Sequence, residues 1–371
     1  MTNKERFITA VRGGVPDMVP VSPLIHDRYA HQVLGGTGVE AWCEVHDMVG
    51  SVHHRGQSQI DMQVSLPEQW SSQSYTTNSD ADRITTVTTI HTPYGTLASK
   101  HIRGMIPEDP LIGKVTEYFV KDVDDWRIYA KLCEQQLAGI GEANWAEYRR
   151  QAAGMGENHV PLVWIEAPFC QLMEVRGMEQ IMTDLYDCPD ILRGILGIRR
   201  QILSEQLKAV ANCPAELFGM DICWATGAGL GPRAFAEWVL PDVAIASEAI
   251  NPLPNKYLGL YTLGRIAKLL PMLVDTEVDF IETFEQNEGD IPLAEAKRLY
   301  GDRVCLMGNF DCLVLAFGTV EEAQQEARRC LQEGMEGGGY VLATADEVPA
   351  DCRMDNLKAM VETVQKHGRY E

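Results

Sequence analysis

The chain has 371 residues, of which 45% are hydrophobic, and its 53 acidic and 32 basic side chains give a formal net charge of −21. This charge repels phosphate backbones and anionic lipid, and it excludes nucleic-acid binding as the main role. No apolar run approaches the roughly 20 residues of a membrane span, and the charged start MTNKERFITAV lacks the apolar centre of a secretion signal. Ten cysteines without a C-x-x-C pair are typical of a reducing compartment, so the sequence predicts a globular cytoplasmic protein.

Short apolar runs alternate with helical patterns along the chain. The runs predict strands at 19–25, 60–67, 161–168, 215–223, 256–264, 278–285, 304–310 and 337–345. Between the last two runs, Thr319 and Glu322 form a capping-box pattern that begins a helix ending near Gly334. Eight alternations of strand and helix predict an α/β fold, a (β/α)₈ TIM barrel, closed by an amphipathic helix after residue 353.

One segment departs from this alternation. Residues 83–102, RITTVTTIHTPYGTLASKHI, alternate β-branched and polar side chains around a Pro-Tyr-Gly turn. This pattern predicts an antiparallel hairpin that leaves the main sheet. No linker and no internal repeat is evident, so we predict a single domain over residues 1–371.

Polar and sulfur side chains follow the predicted strands, at the end of a barrel where enzymes of this fold carry their chemistry. Because successive parallel strands point the same way, Cys312 and Cys352 are expected near each other, with Glu282 and Glu285 able to join them. The full set at these positions is His26, Glu68, Glu166, Cys170, Asp221, Cys223, Tyr261, Glu282, Glu285, Asn309, Cys312, Asp346, Glu347 and Cys352.

Three segments resemble a known family. They are KERFITAVRGGVPDMVPV near the start, GNFDC at 308–312, and GGGYVLATADEVPADCRMDNLKAMVETVQKHGRY at the end. Together they resemble the uroporphyrinogen decarboxylase superfamily over nearly the whole chain. The resemblance implies the barrel predicted above, and it implies either a porphyrinogen decarboxylase or a cobalamin-linked methyltransferase, many of which use zinc.

The two branches differ after the first strand. Decarboxylases of this family carry an arginine cluster there, in a pattern like R-x-A-G-R. These arginines bind a substrate with many carboxylates. This chain has HDRY at 26–29, with one arginine. The resemblance therefore favours the methyltransferase branch.

The zinc ligands of that branch are carried over only in part. Members that methylate a thiol have H-x-C after the fifth strand, where this chain has YTL at 261–263. Relatives that take methyl groups from aryl methyl ethers have an acidic residue followed by two cysteines, placed much as Cys312 and Cys352 are. The acidic position falls on Phe284, which is flanked by Glu282 and Glu285.

The resemblance thus implies a zinc site made from Glu282 or Glu285, Cys312 and Cys352. Two thiolates and a carboxylate with an open fourth position form a catalytic arrangement for zinc. The alternative is that both cysteines are ordinary buried thiols and that the glutamates are solvated.

Ether demethylation needs a nucleophile for the methyl carbon and a group that stabilises the departing oxygen. The resemblance implies that the nucleophile is the reduced cobalt of a corrinoid on a separate partner protein. Glu166 and Asp221 are candidate acids for the oxygen, and His26 is a candidate for binding a substrate carboxylate or donating a proton. A structural role is the alternative for each of the three.

Trp224, Tyr261 and Phe169 are candidates for the walls of an aromatic substrate pocket, with core packing as the alternative for Phe169. We therefore predict a zinc-dependent methyltransferase that moves a methyl group from a small methylated substrate, an aryl methyl ether, to a corrinoid protein. A decarboxylase of a small or porphyrinogen-like acid, a different methyl donor and a non-catalytic barrel remain alternatives. A homodimer is left open.

Overall fold

The computed structural model describes residues 1–78, 83–105, 110–227 and 229–371. The strands in these ranges are β1 Asp61–Val64, β2 Ser71–Asn78, β3 Ile84–Thr92, β4 Gly95–Arg103, β5 Gly113–Glu117, β6 Ile140–Asn144, β7 Leu162–Ile165, β8 Leu217–Asp221, β9 Tyr257–Tyr261, β10 Phe280–Phe284, β11 Cys305–Phe310 and β12 Tyr340–Thr344.

The helices in the same ranges are α1 Asn3–Val11, α2 Asp27–Leu34, α3 Val39–Val49, α4 Val123–Ala138, α5 Ala146–Met155, α6 Pro168–Arg176, α7 Met178–Asp187, α8 Pro189–Lys208, α9 Cys223–Gly227, α10 Pro232–Trp238, α11 Leu240–Ile250, α12 Leu270–Val274, α13 Leu293–Tyr300, α14 Cys312–Phe317, α15 Val320–Gly334 and α16 Met354–His367. A short 3₁₀ helix spans Val210–Asn212.

The chain forms two compact units. Unit 1 contains residues 1–60, 145–165 and 211–371, and unit 2 contains residues 61–144 and 166–210. The number of domains stays a prediction, and each unit is described by itself below.

Unit 1 contains a parallel sheet in the order β7-β8-β9-β10-β11-β12. Two irregular segments continue this sheet, and the first of them is residues 19–25. The N–H of Ser22 donates to the carbonyl of Leu342 in β12 (2.9 Å), and Val21 forms a parallel bridge with the same residue. The sheet is therefore extended past β12 by the first predicted strand.

The second irregular segment, residues 51–59, closes the circle. Its Val52 N–H donates to the Val21 carbonyl (2.9 Å), and its Ser58 carbonyl accepts from the N–H of Trp164 in β7 (2.8 Å). Eight chain segments thus surround one interior, and the prediction of a (β/α)₈ barrel is confirmed.

The position of the second barrel strand was predicted wrongly. The apolar run at 60–67 contains β1, which pairs antiparallel with β6 within unit 2. The barrel position belongs instead to SVHHRGQSQ at 51–59, which is polar but largely buried. An apolar-run criterion does not detect this segment because its burial depends on paired polar groups.

Apolar side chains from the strand starts fill the amino-terminal end of the barrel. Leu162, Leu217 and Phe280 belong to one buried cluster with Phe7 and Val11 of α1. The capping box of Thr2 and Glu5 fixes the start of α1.

Glycine at position 259 is required by this packing. A Cβ atom there would lie 1.9 Å from the ring of Phe280, on the neighbouring strand β10. The chain leaves out a side chain at this point of β9 so that a large ring can occupy the interior.

The capping box predicted at the start of α15 is confirmed. The N–H of Glu322 donates to Thr319 Oγ1 (3.2 Å), and the N–H of Thr319 donates to Glu322 Oε2 (2.7 Å). The predicted closing helix is also present, as α16.

Unit 2 contains an antiparallel sheet in the order β2-β3-β4-β5. Its central pair, β3 and β4, is the hairpin predicted at 83–102, with Thr92 opposite Gly95 at the turn. Helices α4, α6, α7 and α8 belong to the same unit, where Asp184 accepts hydrogen bonds from Arg176 Nε (2.6 Å) and Trp126 Nε1 (2.7 Å).

Candidate functional site at the carboxyl ends of the barrel strands

An irregularity in β10 lies at the centre of the site. Ile281 pairs with Leu306 and Phe284 with Gly308, so three steps along β10 match two along β11. The extra residue is a β-bulge, a feature that redirects side chains next to functional sites. Thr283 has a φ of 55°, which is strained for a β-branched residue, and its Oγ1 donates to the carbonyl of Glu282 (2.7 Å).

The side chain of Glu282 holds two basic groups from segment 51–59. Its Oε2 accepts from Arg55 Nη2 (2.9 Å) and Arg55 Nε (3.3 Å), and it lies 2.9 Å from His54 Nε2. Glu282, Arg55 and His54 are only 2–3% exposed. The Oε1 atom of Glu282 is buried and has no hydrogen-bond partner among the residues described.

The charges of this cluster stabilise one another. Burial by itself raises the pKa of Glu282, but the Arg55 charge and the His54 hydrogen bond outweigh burial and lower this pKa to about 2. Burial acts to lower the pKa of Arg55, but the charge of Glu282 outweighs it and the pKa is raised. Both groups are therefore ionised inside the barrel.

Two aromatic rings flank the Arg55 guanidinium. Its Cζ lies 4.4 Å from the ring centre of Tyr261 and 5.0 Å from that of Trp164. Cation–π attraction of this kind is strongest where water is excluded. The rings therefore hold the guanidinium in place and shield it from solvent.

Three neighbouring strands present their polar residues at one level. Asp221 of β8 is in register with Tyr261 of β9, which is in register with Glu282 of β10. In-register residues of parallel strands point to the same face, so Asp221 and Tyr261 face the barrel interior together with Glu282. The Tyr261 hydroxyl donates to Asp346 Oδ1 (3.0 Å), and burial raises the pKa of Asp221.

The four predicted zinc ligands make separate contacts. The thiol of Cys312 donates to the Asp346 carbonyl (3.4 Å), and that of Cys352 donates to the Arg353 carbonyl (3.6 Å). Burial raises the pKa of each thiol to about 12. Glu285 accepts from the N–H of Gly264.

These residues do not fit a zinc ion in the arrangement that the structure gives them. The thiols of Cys312 and Cys352 donate to different backbone carbonyls, and Glu282 is occupied by two basic partners. Across residues 1–78, 83–105, 110–227 and 229–371, no group of three or more His, Cys, Asp or Glu side chains is arranged to hold a metal ion. The zinc site is not shown.

His26 lies at the same end of the barrel. Its Nδ1 is 3.0 Å from Glu347 Oε1, and its ring stacks on Trp42 with 5.0 Å between ring centres. Its Nε2 is buried without a hydrogen-bond partner among the described residues. These contacts fix the ring in place, and the role predicted for His26 in binding or proton donation stays a prediction.

The remaining predicted residues have different surroundings. Trp224 is 47% exposed, as a pocket wall requires, and Tyr261 faces Arg55. Phe169, in unit 2, is fully buried, so it offers no surface to a substrate. Glu166, also in unit 2, accepts from Gln171 and from Arg199 Nη2 (3.3 Å). These hydrogen bonds give Glu166 a structural role in its unit. The catalytic role of Glu166 stays a prediction.

Sequence reasoning missed His54 and Arg55. Both belong to the polar segment that was not recognised as a barrel strand. The available signal was HHR at 53–55, three consecutive basic or imidazole side chains in a strongly acidic chain. Such a group in a buried segment requires an acidic partner, and Glu282 supplies it.

A second buried cluster lies on the other face of segment 51–59. His53 Nδ1 is 3.2 Å from His46 Nε2, and His46 Nδ1 is 2.7 Å from Ser51 Oγ. His159 Nδ1 accepts from the His53 N–H (2.9 Å). Burial lowers the pKa of His46 and of His53 well below the usual value, and it also lowers the pKa of His159. This histidine cluster is therefore neutral near pH 7.

No helix among the described residues is both long and apolar enough to cross a membrane. The predicted cytoplasmic location stays a prediction.

Curated proteins that match this chain include three uroporphyrinogen decarboxylases. The protein of Neisseria meningitidis is 26% identical over 229 residues, which cover 57% of this chain and 61% of that protein. Those of Nitrosomonas europaea and Cupriavidus necator are 28% and 27% identical over 58% and 60% of this chain, and over 61% and 63% of their own lengths. The chain spans about six tenths of the length of the curated relatives it matches.

Among solved structures, a methyltransferase from Methanosarcina mazei shares the fold. The alignment has a TM-score of 0.64 and 17% sequence identity, and it covers 99% of both chains. A family model described as uroporphyrinogen decarboxylase (URO-D) matches residues 115–367, which is more than half of the chain. The chain therefore belongs to the uroporphyrinogen decarboxylase family.

Proposed function

We propose that this protein is a methyltransferase that moves a methyl group from a small aryl methyl ether to the corrinoid of a partner protein. The observation that carries the proposal is the charge of the site. Glu282 already binds Arg55 through its Nε and Nη2 groups, and carboxyl groups of Asp221, Asp346 and Glu347 lie at the same end of the barrel. A substrate with many carboxylates would find few free cations here.

This charge pattern distinguishes the two branches of the family. A porphyrinogen decarboxylase has to hold a polyanion, which an acidic barrel end repels. A small neutral ether needs only an apolar pocket with a few polar groups. Leu24, Cys223 and Tyr261 form a small buried apolar cluster near this end, against which Trp164 packs. The likeness in fold to the Methanosarcina mazei methyltransferase supports the same branch.

In the proposed reaction the bond between the methyl carbon and the ether oxygen breaks, and its electron pair stays on oxygen. The corrinoid, as co-substrate, supplies both electrons of the new bond to carbon, so its cobalt is formally oxidised by two electrons and the methyl group is reduced by the same two. The oxygen leaves as an aryloxide or, after it gains a proton, as a phenol.

Asp221 is proposed to give that proton. Burial raises its pKa, so this carboxyl is better suited to retain a proton than an exposed aspartate is. Its Oδ1 accepts from the N–H of Cys223 (2.9 Å), which fixes the carboxyl group at the end of β8. Tyr261 lies beside it in register, oriented by Asp346.

No step is assigned to zinc. The residues that the resemblance implies as ligands do not come together among the residues described, and the steps above need only the side chains in place. Metal analysis of the purified protein tests this part of the proposal.

Incubation with 2-methoxyphenol and chemically reduced free cobalamin tests the activity without the partner protein. The expected products are catechol, measured by mass spectrometry, and methylcobalamin, measured by absorbance, in equal amounts. A methylated thiol and a methylated amine serve as competing donors. Release of carbon dioxide from a small aromatic acid, without methylcobalamin, would support the decarboxylase instead.

The matched variants are Asp221→Asn and Asp302→Asn, the second at an exposed position. Loss of a general acid lowers the rate by about a hundredfold or more, whereas the surface change leaves it unaltered. Equal rates for the two variants would remove Asp221 from the mechanism. Absence of turnover with every donor would favour the non-catalytic alternative.

A further inference from the structure

We propose that Arg55 binds the oxygen that leaves in the reaction, which is the role that the family resemblance gives to zinc. The inference rests on the proposed function and deepens it, because it defines the substrate class as methyl ethers whose demethylated product is an oxyanion such as a phenolate. It is carried by the part of the Arg55 guanidinium that Glu282 does not bind and by the two aromatic rings that hold the guanidinium in the barrel interior.

Arg55 retains hydrogen-bond donors that no described residue accepts. Its Nε and Nη2 both donate to Glu282 Oε2. Its Nη1 has no hydrogen-bond partner among the residues described, and it is not fully enclosed. A guanidinium has five N–H groups in a planar fork, so the Nη1 edge can still bind one oxygen of a ligand.

The position of this edge suits a substrate. The guanidinium lies between the rings of Tyr261 and Trp164, which keep it within the barrel interior. Asp221 is in register with Tyr261, whose ring lies against the guanidinium, so Asp221 and the Nη1 edge both belong to the barrel interior at the carboxyl ends of the strands.

A chain of hydrogen bonds through His54 holds the Glu282 carboxylate in place. Three short contacts join Ser22 Oγ to the Val52 carbonyl (2.6 Å), Ser22 Oγ to His54 Nδ1 (2.6 Å) and His54 Nε2 to Glu282 Oε2 (2.9 Å). These contacts fix the carboxylate beside the Arg55 guanidinium, so Glu282 Oε2 occupies the Nε and Nη2 groups and leaves the Nη1 edge open.

The Arg55 guanidinium thus keeps a free N–H edge at the carboxyl ends of the strands, where the rings of Tyr261 and Trp164 flank it. A fixed cation in such a site stabilises negative charge that develops on a leaving oxygen. No proton leaves Arg55 in this step, since the guanidinium only donates hydrogen bonds.

Binding of 4-nitrophenol tests the proposal without any turnover, because its phenol and phenolate forms absorb at different wavelengths. The wild-type protein is expected to bind the phenolate at least about tenfold more tightly than the phenol. The Arg55→Met and Arg55→Lys variants should lose this preference, because a lysine cannot contact Glu282 and a ligand with the same planar fork. Arg303→Lys, on the surface, is the matched control.

Wild-type protein that binds the phenol form as tightly as the phenolate would overturn the proposal, as would an unchanged preference in a folded Arg55 variant. Circular dichroism shows whether the variants fold. If Arg55→Met does not fold, the wild-type and Arg55→Lys measurements decide.

The two proposals fail in different ways. Methyl transfer that is abolished by a chelator, together with no preference for phenolate, overturns the role of Arg55 and leaves the methyltransferase standing. A clear preference for phenolate without demethylation of any ether overturns the methyltransferase and leaves Arg55 as an anion-binding residue.

Discussion

His53 and His54 are neighbours in one barrel segment, but they belong to clusters of opposite electrostatic character. His54 faces Glu282 and shares that carboxylate with Arg55 at 2.9 Å. His53 lies against His46 and His159, and Trp42 packs edge-on to its ring with 5.6 Å between ring centres. One step along the chain, from His54 to His53, thus moves an imidazole from an ionic to a neutral environment.

The difference shows what keeps a basic side chain charged inside this protein. Burial is almost the same for His53 and His54, at 2% and 3% exposure. On one face Glu282 is a buried carboxylate partner, whereas on the other face His53 contacts His46 and His159, and Asp47, 3.4 Å from His159 Nε2, is largely exposed. Charge is therefore retained where a buried counter-ion has been placed, and the proposed chemistry depends on that face.

Removal of the counter-ion should have the largest effect on stability. Glu282→Leu leaves Arg55 and His54 buried without a partner, and breaking a buried ion pair in this way costs about 3–5 kcal/mol. Urea unfolding measures the loss, and Glu288→Leu at an exposed position should change the free energy of unfolding by less than about 0.5 kcal/mol. A second substitution, Arg55→Met, should recover part of the loss, and failure to recover any would contradict the pairing.

Lowering the pH should distinguish the two clusters, because each loses its contribution to stability in a different pH range. The pKa values of His46 and His53 are lowered in the folded protein, so the unfolded chain takes up protons first as pH falls below about 6.5. The free energy of unfolding then falls by about 2.5 kcal/mol, for the two residues together, between about pH 7 and pH 5.5. The pKa of Glu282 is also lowered, to about 2, so its stabilisation is present above about pH 4.5 and is lost only below it.

Urea unfolding at a series of pH values measures these two windows. A His46→Asn, His53→Asn double variant should have no loss attributable to these residues between about pH 7 and pH 5.5, while it keeps the loss below about pH 4.5. An unchanged slope in the upper window would show that other groups cause it.

Most of the barrel was predictable from the sequence because seven of its strands follow the apolar pattern of buried strands. The first was found at 19–25 and the last at 337–345, and the structure places them side by side. Segment 51–59 was missed because its burial depends on the partner Glu282, about 230 residues away in the chain. Pairing over such a distance leaves no local pattern.

The site was predictable only in part, for a related reason. Asp221, Tyr261 and Glu282 were recognised as strand-end residues, and the structure puts them in register. Position at a strand end does not give the direction of a side chain, however. Glu282 binds Arg55 and His54, and among the described residues it does not join Cys312 and Cys352 in a ligand set.

A smaller effect is expected from the hydrogen bond between the Tyr261 hydroxyl and Asp346. Tyr261→Phe removes the donor to Asp346 but leaves the ring over Arg55, so the free energy of unfolding should fall by about 1 kcal/mol. The preference for phenolate should persist. Tyr257→Phe is the matched control, and a change in phenolate binding in Tyr261→Phe alone would show that the hydroxyl contacts the ligand.

The smallest effect is expected from the two cysteines. Burial raises the pKa of Cys312 and of Cys352 to about 12, and each thiol donates to a backbone carbonyl. A serine can make the same hydrogen bond, so the Cys312→Ser, Cys352→Ser double variant should lose less than about 1 kcal/mol of stability. Because neither sulfur contacts the Arg55 cluster, methyl transfer and phenolate binding should match those of the wild type. Metal content is measured alongside activity. One zinc per wild-type chain, lost together with methyl transfer in the double variant, would show that the two thiols bind a catalytic zinc and would contradict the role proposed for Arg55.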